Sequence, residues 1–358
     1  MSKEVIVADI ASETSNGKRT GHYLTVAHNF KEIFGDDCKI AGGPVYKNTF
    51  KTEEIVELPY NNVKGGNSLM LRLKMFVNAN RLFNNCKDDI IVIQQCSVIT
   101  TFICLFLFYH KRSELYLILY NLEGYRLKIG RFLFLLIKNK IDGIICPNKI
   151  VGEAYDLPYC IVPDYIYTKS DFDKGNLVPF QEKLYDFGIL GRIAYGKGCI
   201  ESAKWLARTK YRVIIAGNCQ NKELEDAIVE ACKGADNIVL KLGYISDDEY
   251  HFLLSQCRYS FMNYSGEYAI RSSGVVFDMV FSGIPVIGKH CLALDFVDDN
   301  KLGFLYNHID EVNFDYFFNE ELYGSYINNI QKYCGTHVQF KNELIKFLSR
   351  DVKKKTVN

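Results

Sequence analysis

Five short apolar runs, at residues 185–190, 212–216, 238–242, 259–263 and 285–287, alternate with four stretches of helical periodicity at 197–208, 222–233, 246–256 and 274–282. Apolar runs this short, without strict polar alternation, predict strands buried on both faces. A helix-length segment between each pair of strands is the crossover that parallel pairing needs. The pattern therefore predicts a parallel sheet covered by helices on both sides. Ligands of such sheets bind beyond the carboxyl ends of the strands. Chemistry is expected in the residues that follow each run.

The first half repeats the theme less regularly. An apolar run at 5–10 is followed by a polar loop at 12–21, which contains Gly17, and by a helical pattern over 22–34. Further strands read at 90–95, 115–120 and 143–146, and helices at 69–84, 98–108 and 126–140. Residues 162–183 carry Pro163, Gly175 and Pro179 among polar residues without periodicity, and read as a linker. The tail has a helical stripe at 340–348. A chain of 358 residues holds about two domains. The expectation is an α/β chain of two Rossmann-like, doubly wound domains facing across a cleft. The domains span 1–165 and 184–339, joined by a linker at 166–183, with a helix over 340–358 packing back on the first.

Charge and cysteine usage remove whole classes of function. The 43 basic and 42 acidic residues nearly cancel, so no broad basic face for nucleic acid is expected. The 12 cysteines form no C-x-x-C pair and have no histidine cluster beside them, which argues for free thiols in a reducing compartment rather than zinc or disulfides. The N-terminus MSKEVIVADI has no apolar h-region, so no signal peptide is read. The most apolar stretch, 98–109, is too short to span a bilayer. A cytoplasmic location is expected.

Two segments concentrate polar chemistry at strand ends. The first reads LYDFGILGRIAYGKG over 184–198: a strand, then Gly191-Arg192, then Gly196-Lys197-Gly198 where a helix is expected to begin. A guanidinium fork, an ammonium and the free amides of a helix start make an anion site. Gly191-x-x-x-x-Gly196-Lys197 nearly spells a P-loop, but Gly198 stands where Ser or Thr would hold Mg²⁺. The alternative for this segment is a turn with two solvated cations. The second reads NYSGEYAIRSSGVVFDMVFSGIPVIG over 263–288. Ser272 or Ser273 is expected to cap a helix opening at Gly274, leaving amides free for phosphate. Asp278 sits one turn in, on an otherwise apolar helix, where it needs a partner. That partner is either a ribose diol or a cation on a neighbouring loop.

In this order and spacing, residues 185–306 resemble the donor half of GT-B glycosyltransferases, in particular the retaining family 4 (glycosyl transferases group 1). The resemblance implies that Arg192 and Lys197 hold the diphosphate of a nucleotide-sugar donor and that Asp278 binds its ribose. The Gly243-Tyr244 turn is similar to the family's base-binding turn. The family carries a Glu eight residues before the Asp278 position, and this chain has Ile270 there. Glu267, Ser272 or Ser273 would have to act near the sugar instead. The resemblance further implies a retaining, metal-independent transfer without cofactor, releasing a nucleoside diphosphate. The expected acceptor is a glycan or a lipid-linked molecule, and the expected setting is surface polysaccharide assembly.

On the acceptor side, Gly17 lies in the loop after the first strand, where backbone can approach phosphate, and His22 is a candidate base or hydrogen-bond partner. Glu123, after the strand at 115–120, is a candidate for the acceptor hydroxyl. The stretch RLKIGRFLFLLIKNK at 126–140 reads either as a buried helix with solvated ends or as an interfacial helix against anionic lipid at the inner face of a membrane. The competing functions are a nucleotide-sugar epimerase on the same scaffold, a P-loop nucleotidase and a non-catalytic GT-B-like binding subunit.

Overall fold

The computed structural model describes residues 3–15, 18–19, 23–63, 66–94, 98–163, 177–270 and 273–349. The chain divides into two compact units, Met1–Thr168 with Val338–Asn358, and Lys169–His337.

The strands of unit 1 are β1 (Val5–Ala8), β2 (Glu13–Ser15), β3 (Lys18–Arg19), β4 (Cys38–Gly42), β5 (Ile55–Glu57), β6 (Asn62–Val63), β7 (Ile90–Gln94), β8 (Glu114–Ile118), β9 (Gly143–Cys146) and β10 (Tyr159–Ile161). Seven of them form a parallel sheet in the order β10-β9-β8-β7-β1-β4-β5. The chain runs outward from β1 through β4 to β5, then returns to β7 on the other side. The point between β1 and β7 is therefore a topological switch. Helices α1 (Tyr23–Phe34), α2 (Ser68–Asn85), α3 (Val98–Phe108), α4 (Glu123–Arg126), α5 (Lys128–Ile137) and α6 (Lys149–Ala154) belong to this unit. Residues of α2, α3, α5 and α6 fill the core on one face of the sheet, and Val26, Ala27 and Phe30 of α1 fill the other.

Unit 2 holds β11 (Tyr185–Leu190), β12 (Val213–Gly217), β13 (Ile238–Leu242), β14 (Cys257–Met262), β15 (Val286–Lys289) and β16 (Gly303–Tyr306). They form a six-stranded parallel sheet in the order β13-β12-β11-β14-β15-β16, with its switch point between β11 and β14. The helices are α7 (Cys199–Leu206), α8 (Lys222–Ala231), α9 (Asp247–Ser255), α10 (Gly274–Phe281) and α11 (Asp295–Asp299). Asn221 and Ser246 cap α8 and α9 with their side-chain oxygens, which satisfies amides that have no partner within the helix. The last helix, α12 (Glu320–Leu348), contributes Tyr323, Ile327 and Ile330 to the unit 2 core and Leu344, Phe347 and Leu348 to that of unit 1.

Several elements differ from the sequence reading. The polar loop at 12–21 contains β2 and β3, which pair antiparallel, and β2 also pairs with β6. The strands β4, β5, β10 and β16 were not among those read from the sequence. The helix expected over 126–140 is broken at Leu127, whose extended backbone (φ −71°, ψ 137°) separates α4 from α5. The stripe at 340–348 is only the last third of a helix of 29 residues.

Candidate active site

The carboxyl ends of β11 and β14 flank the switch point of the second sheet, and both expected polar segments begin there. β11 ends at Leu190 and passes into Gly191, whose φ of +90° turns the chain sharply. Its neighbour Gly217 ends β12 at φ +140°, and a Cβ on Gly217 would lie 1.8 Å from the Gly191 carbonyl oxygen. Only glycine tolerates that approach, so the turn that presents Arg192 is built against a side-chain-free neighbour. Arg192 itself is exposed, and among the described residues no carboxylate or carbonyl engages its guanidinium.

Lys197 is placed differently. It closes a 3-10 turn at Tyr195–Lys197, ahead of α7 rather than within it, and Gly198 then caps the helix with φ +62°. The helix expected from Lys197 thus begins two residues later, at Cys199. Lys197 is only 9% exposed, and its ammonium lies 5.7 Å from the centroid of the Tyr268 ring. Its charge acts on Cys199 nearby: burial pushes that thiol up to about 11, and the ammonium opposes the shift. The loop after β14 is tied to this turn, because the Ser265 amide donates to the Gly196 carbonyl at 2.8 Å. Glu267 lies exposed in the following 3-10 turn, Gly266–Ala269.

Gly274 is the first residue of α10, as expected, but Ser273 does not cap the helix with its side chain. Its hydroxyl is bound instead to the Tyr264 hydroxyl at 2.8 Å, both groups being buried. Ser272 lies outside the described residues. Asp278 is half-buried on α10, and its Oδ2 accepts from the Tyr250 hydroxyl of α9 at 3.3 Å. Tyr250 also borders Gly191, with a ring carbon 4.0 Å from where a Cβ there would stand. Tyr250 was not singled out from the sequence, because a tyrosine on a helix carries no signal until its neighbours are known. The Gly243-Tyr244 turn follows β13. The Gly243 amide donates to the Gly217 carbonyl at 2.9 Å, and Tyr244 is 89% exposed. Among the described residues no cluster of three or more His, Cys, Asp or Glu side chains is placed to hold a metal.

No protein-family model matches the chain, and no curated protein sequence does. Solved structures do. AviGT4, a glycosyltransferase involved in Avilamycin A biosynthesis, is similar over 97% of this chain and 97% of its own, at 12% identity and a TM-score of 0.59. WaaG, a glycosyltransferase involved in lipopolysaccharide biosynthesis, is similar over 96% and 99%, at 12% identity and 0.63. A trehalose-6-phosphate structure from E. coli, bound with UDP-2-fluoro glucose, is similar over 96% and 98%, at 10% identity and 0.67. Two of the three are glycosyltransferases by name, and all three are matched nearly end to end. The chain has the GT-B fold.

In the first unit of this GT-B chain, the switch point is lined by buried polar groups that the sequence reading passed over. Asp9 follows β1 and is fully buried, its carboxylate accepting from the Ser12 amide at 2.9 Å and the Tyr46 hydroxyl at 2.8 Å. Gln94 ends β7, next to β1. It too is fully buried, and its side-chain amide has no hydrogen-bond partner. A small, partly open pocket lies between α1 and the ends of β8, β9 and β10, lined by Val26, Phe30, Ile118, Tyr120, Val162 and Pro163 among others. Gly17 and His22 lie outside the described residues. Glu123 opens α4, after β8, and its side chain is likewise outside what is described.

Proposed function

We propose that this chain is a glycosyltransferase that moves a sugar from a nucleotide-sugar donor to a glycan or lipid-linked acceptor. The observation that carries this reading is the pair of cations at the switch point of the second sheet, one exposed and unengaged, the other buried beside an aromatic ring. The GT-B neighbours add support: one holds UDP-2-fluoro glucose, and TarM of S. aureus was solved with UDP and alpha-GlcNAc-glycerol. In this reading Arg192 and Lys197 bind the donor diphosphate. Asp278, oriented by Tyr250, accepts from the ribose diol. Tyr244 covers the base, and Gly191, Gly274 and the first amides of α10 meet phosphate oxygens. Ser273 supports that turn through Tyr264, and Glu267 and Ser272 are assigned to the sugar. Gly17, His22 and Glu123 are assigned to the acceptor side, together with the switch point of unit 1.

The transfer is proposed to retain configuration and to use no metal. The bond from the anomeric carbon to the diphosphate oxygen breaks as the acceptor oxygen bonds to that carbon on the same face. The acceptor proton passes to a departing diphosphate oxygen, and the product is a nucleoside diphosphate. Positioning and charge neutralisation then supply the rate enhancement. A role in surface polysaccharide assembly, in the cytoplasm, belongs to the same proposal.

A screen of UDP-, GDP-, TDP- and CMP-sugars by thermal shift and hydrolysis identifies the donor. With that donor, Arg192→Ala is expected to lower turnover by about 10²-fold or more, the scale seen when one transition-state donor is removed. Turnover within a few-fold of the parent would sink the assignment. A second reading draws on the half-buried Ile270 at the family's first glutamate position. A non-catalytic GT-B-like subunit is favoured if no nucleoside diphosphate shifts the melting temperature in a thermal-shift panel.

A further inference from the structure

Helix α5 turns an apolar face to solvent. Its inward side, Gly130, Phe134 and Ile137, is buried. Its six outward positions are Lys128, Ile129, Arg131, Phe132, Leu135 and Leu136. The four apolar ones are 54%, 57%, 62% and 46% exposed in that order. A surface helix normally carries polar residues there. Helix α8 in unit 2 does so, with Lys222, Glu223, Asp226 and Glu230 exposed around Val229. The end of α3, which packs beside α5, extends the patch with Phe106 and Leu107, each 47% exposed.

The exposed charges on the α5 face itself, Lys128 and Arg131, are of one sign. Neither α3 nor α5 contains Asp or Glu. Of the cations in the stretch, Lys138 is paired with Asp156, and Lys140 donates to the carbonyls of Leu105, Phe106 and Tyr109 at the end of α3. Those two already have partners within unit 1. Lys128 and Arg131 remain exposed within the apolar face, Arg131 with its guanidinium 5.4 Å from the Tyr125 ring centroid, and Arg126 is exposed just before it. A second copy docked here about a two-fold axis would bring like charges together with no carboxylate from either helix between them. An anionic lipid surface instead offers an apolar layer for Phe132, Leu135 and Leu136 and phosphates for the cations. No helix among the described residues is long and apolar enough to cross a membrane, so the contact is one of lying on the surface.

We propose that the α5 face, with the end of α3, docks this protein onto an anionic lipid bilayer. The test is co-sedimentation of the full chain with phosphatidylcholine vesicles, with and without added phosphatidylglycerol, at low and high salt. The expected result is binding to the mixed vesicles, weakened several-fold by high salt or by omission of phosphatidylglycerol. Phe132→Ser with Leu135→Ser, and separately Lys128→Glu with Arg131→Glu, are each expected to weaken it about tenfold or more. All four side chains are exposed, so both variants should keep the parent circular dichroism and melting temperature. Absence of vesicle binding, or equal binding by parent and variants, overturns the proposal. So does a concentration-dependent dimer in light scattering that the serine variant abolishes, since that outcome gives the face to a second copy.

Discussion

Arg258 stands near the start of β14 with its side chain 9% exposed, paired with the buried Asp186 of β11. Its Nε donates to the Phe180 carbonyl at 2.9 Å, and its guanidinium lies 4.8 Å from the Phe180 ring centroid. Arg192, at the other end of the same sheet, has none of these partners. The first is a structural charge already neutralised, and the second remains available to a ligand. Arg258→Met is therefore expected to destabilise the protein by about 3 kcal/mol, because it leaves the buried Asp186 carboxylate with only the Arg212 guanidinium at 3.9 Å and the Arg212 amide at 2.8 Å. Urea unfolding measures this, and a loss below about 1 kcal/mol would contradict the pairing argument. Gln94 presents the opposite case, a buried amide with nothing to bind. Gln94→Leu removes an uncompensated polar group and is expected to raise stability by roughly 1 kcal/mol. If the amide serves the acceptor, the same variant loses transfer activity by about tenfold or more, as expected when a binding group of some 1.4 kcal/mol is removed. A more stable variant with unchanged kinetics would remove Gln94 from the site.

Turns rather than helices position the candidate site, and turns were the least legible part of the sequence. The alternation after residue 185 announced β11 to β15 and α7 to α10, because hydrophobic periodicity over several residues is a strong signal. Arg192, Lys197 and Asp278 were legible for a similar reason: each is a charge beside an apolar element. Tyr250, Asp9 and Gln94 were not, because a lone polar residue shows its role only once distant strands are brought side by side. Ser273 occupies the N-cap position of α10, one of the two serines expected there, but its hydroxyl is bound to that of Tyr264, nine residues earlier, instead of to a helix amide. The contact between Gly217 and Gly191 joins two turns 26 residues apart, and no local pattern encodes it. Gly217→Ala places a methyl 1.8 Å from the Gly191 carbonyl and requires a φ near +140°. It is expected to cost about 1–3 kcal/mol and to shift the Gly191-Arg192 turn. Donor turnover should fall with it while the sheet persists. Full turnover at a lowered melting temperature would show that the turn can yield without moving Arg192.

At the scale of the whole chain, α12 serves both units, and the division between them falls within it, after His337. His337 is 1% exposed and set edge-on against the rings of Phe281 and Tyr333, 4.6 and 5.0 Å away by ring centroids. Burial lowers its pKa from 6.5 to about 4, since the charged imidazolium is costly in such surroundings. Between those two values the unfolded chain binds a proton there and the folded chain does not. Stability therefore rises with pH across this window and is lost as the pH falls from about 6.5 toward 4. The full window corresponds to about 3 kcal/mol at 1.36 kcal/mol per pH unit. Carboxylates titrate in the same range, so the contribution is isolated by difference. His337→Leu keeps an apolar side chain in the site and removes the titration. The stability gap between variant and parent, measured by urea unfolding at pH 7 and again at pH 4.5, is expected to shift in the variant's favour by about 2–3 kcal/mol. Parallel stability curves would show that the imidazole meets the same surroundings folded and unfolded, which its burial in α12 forbids.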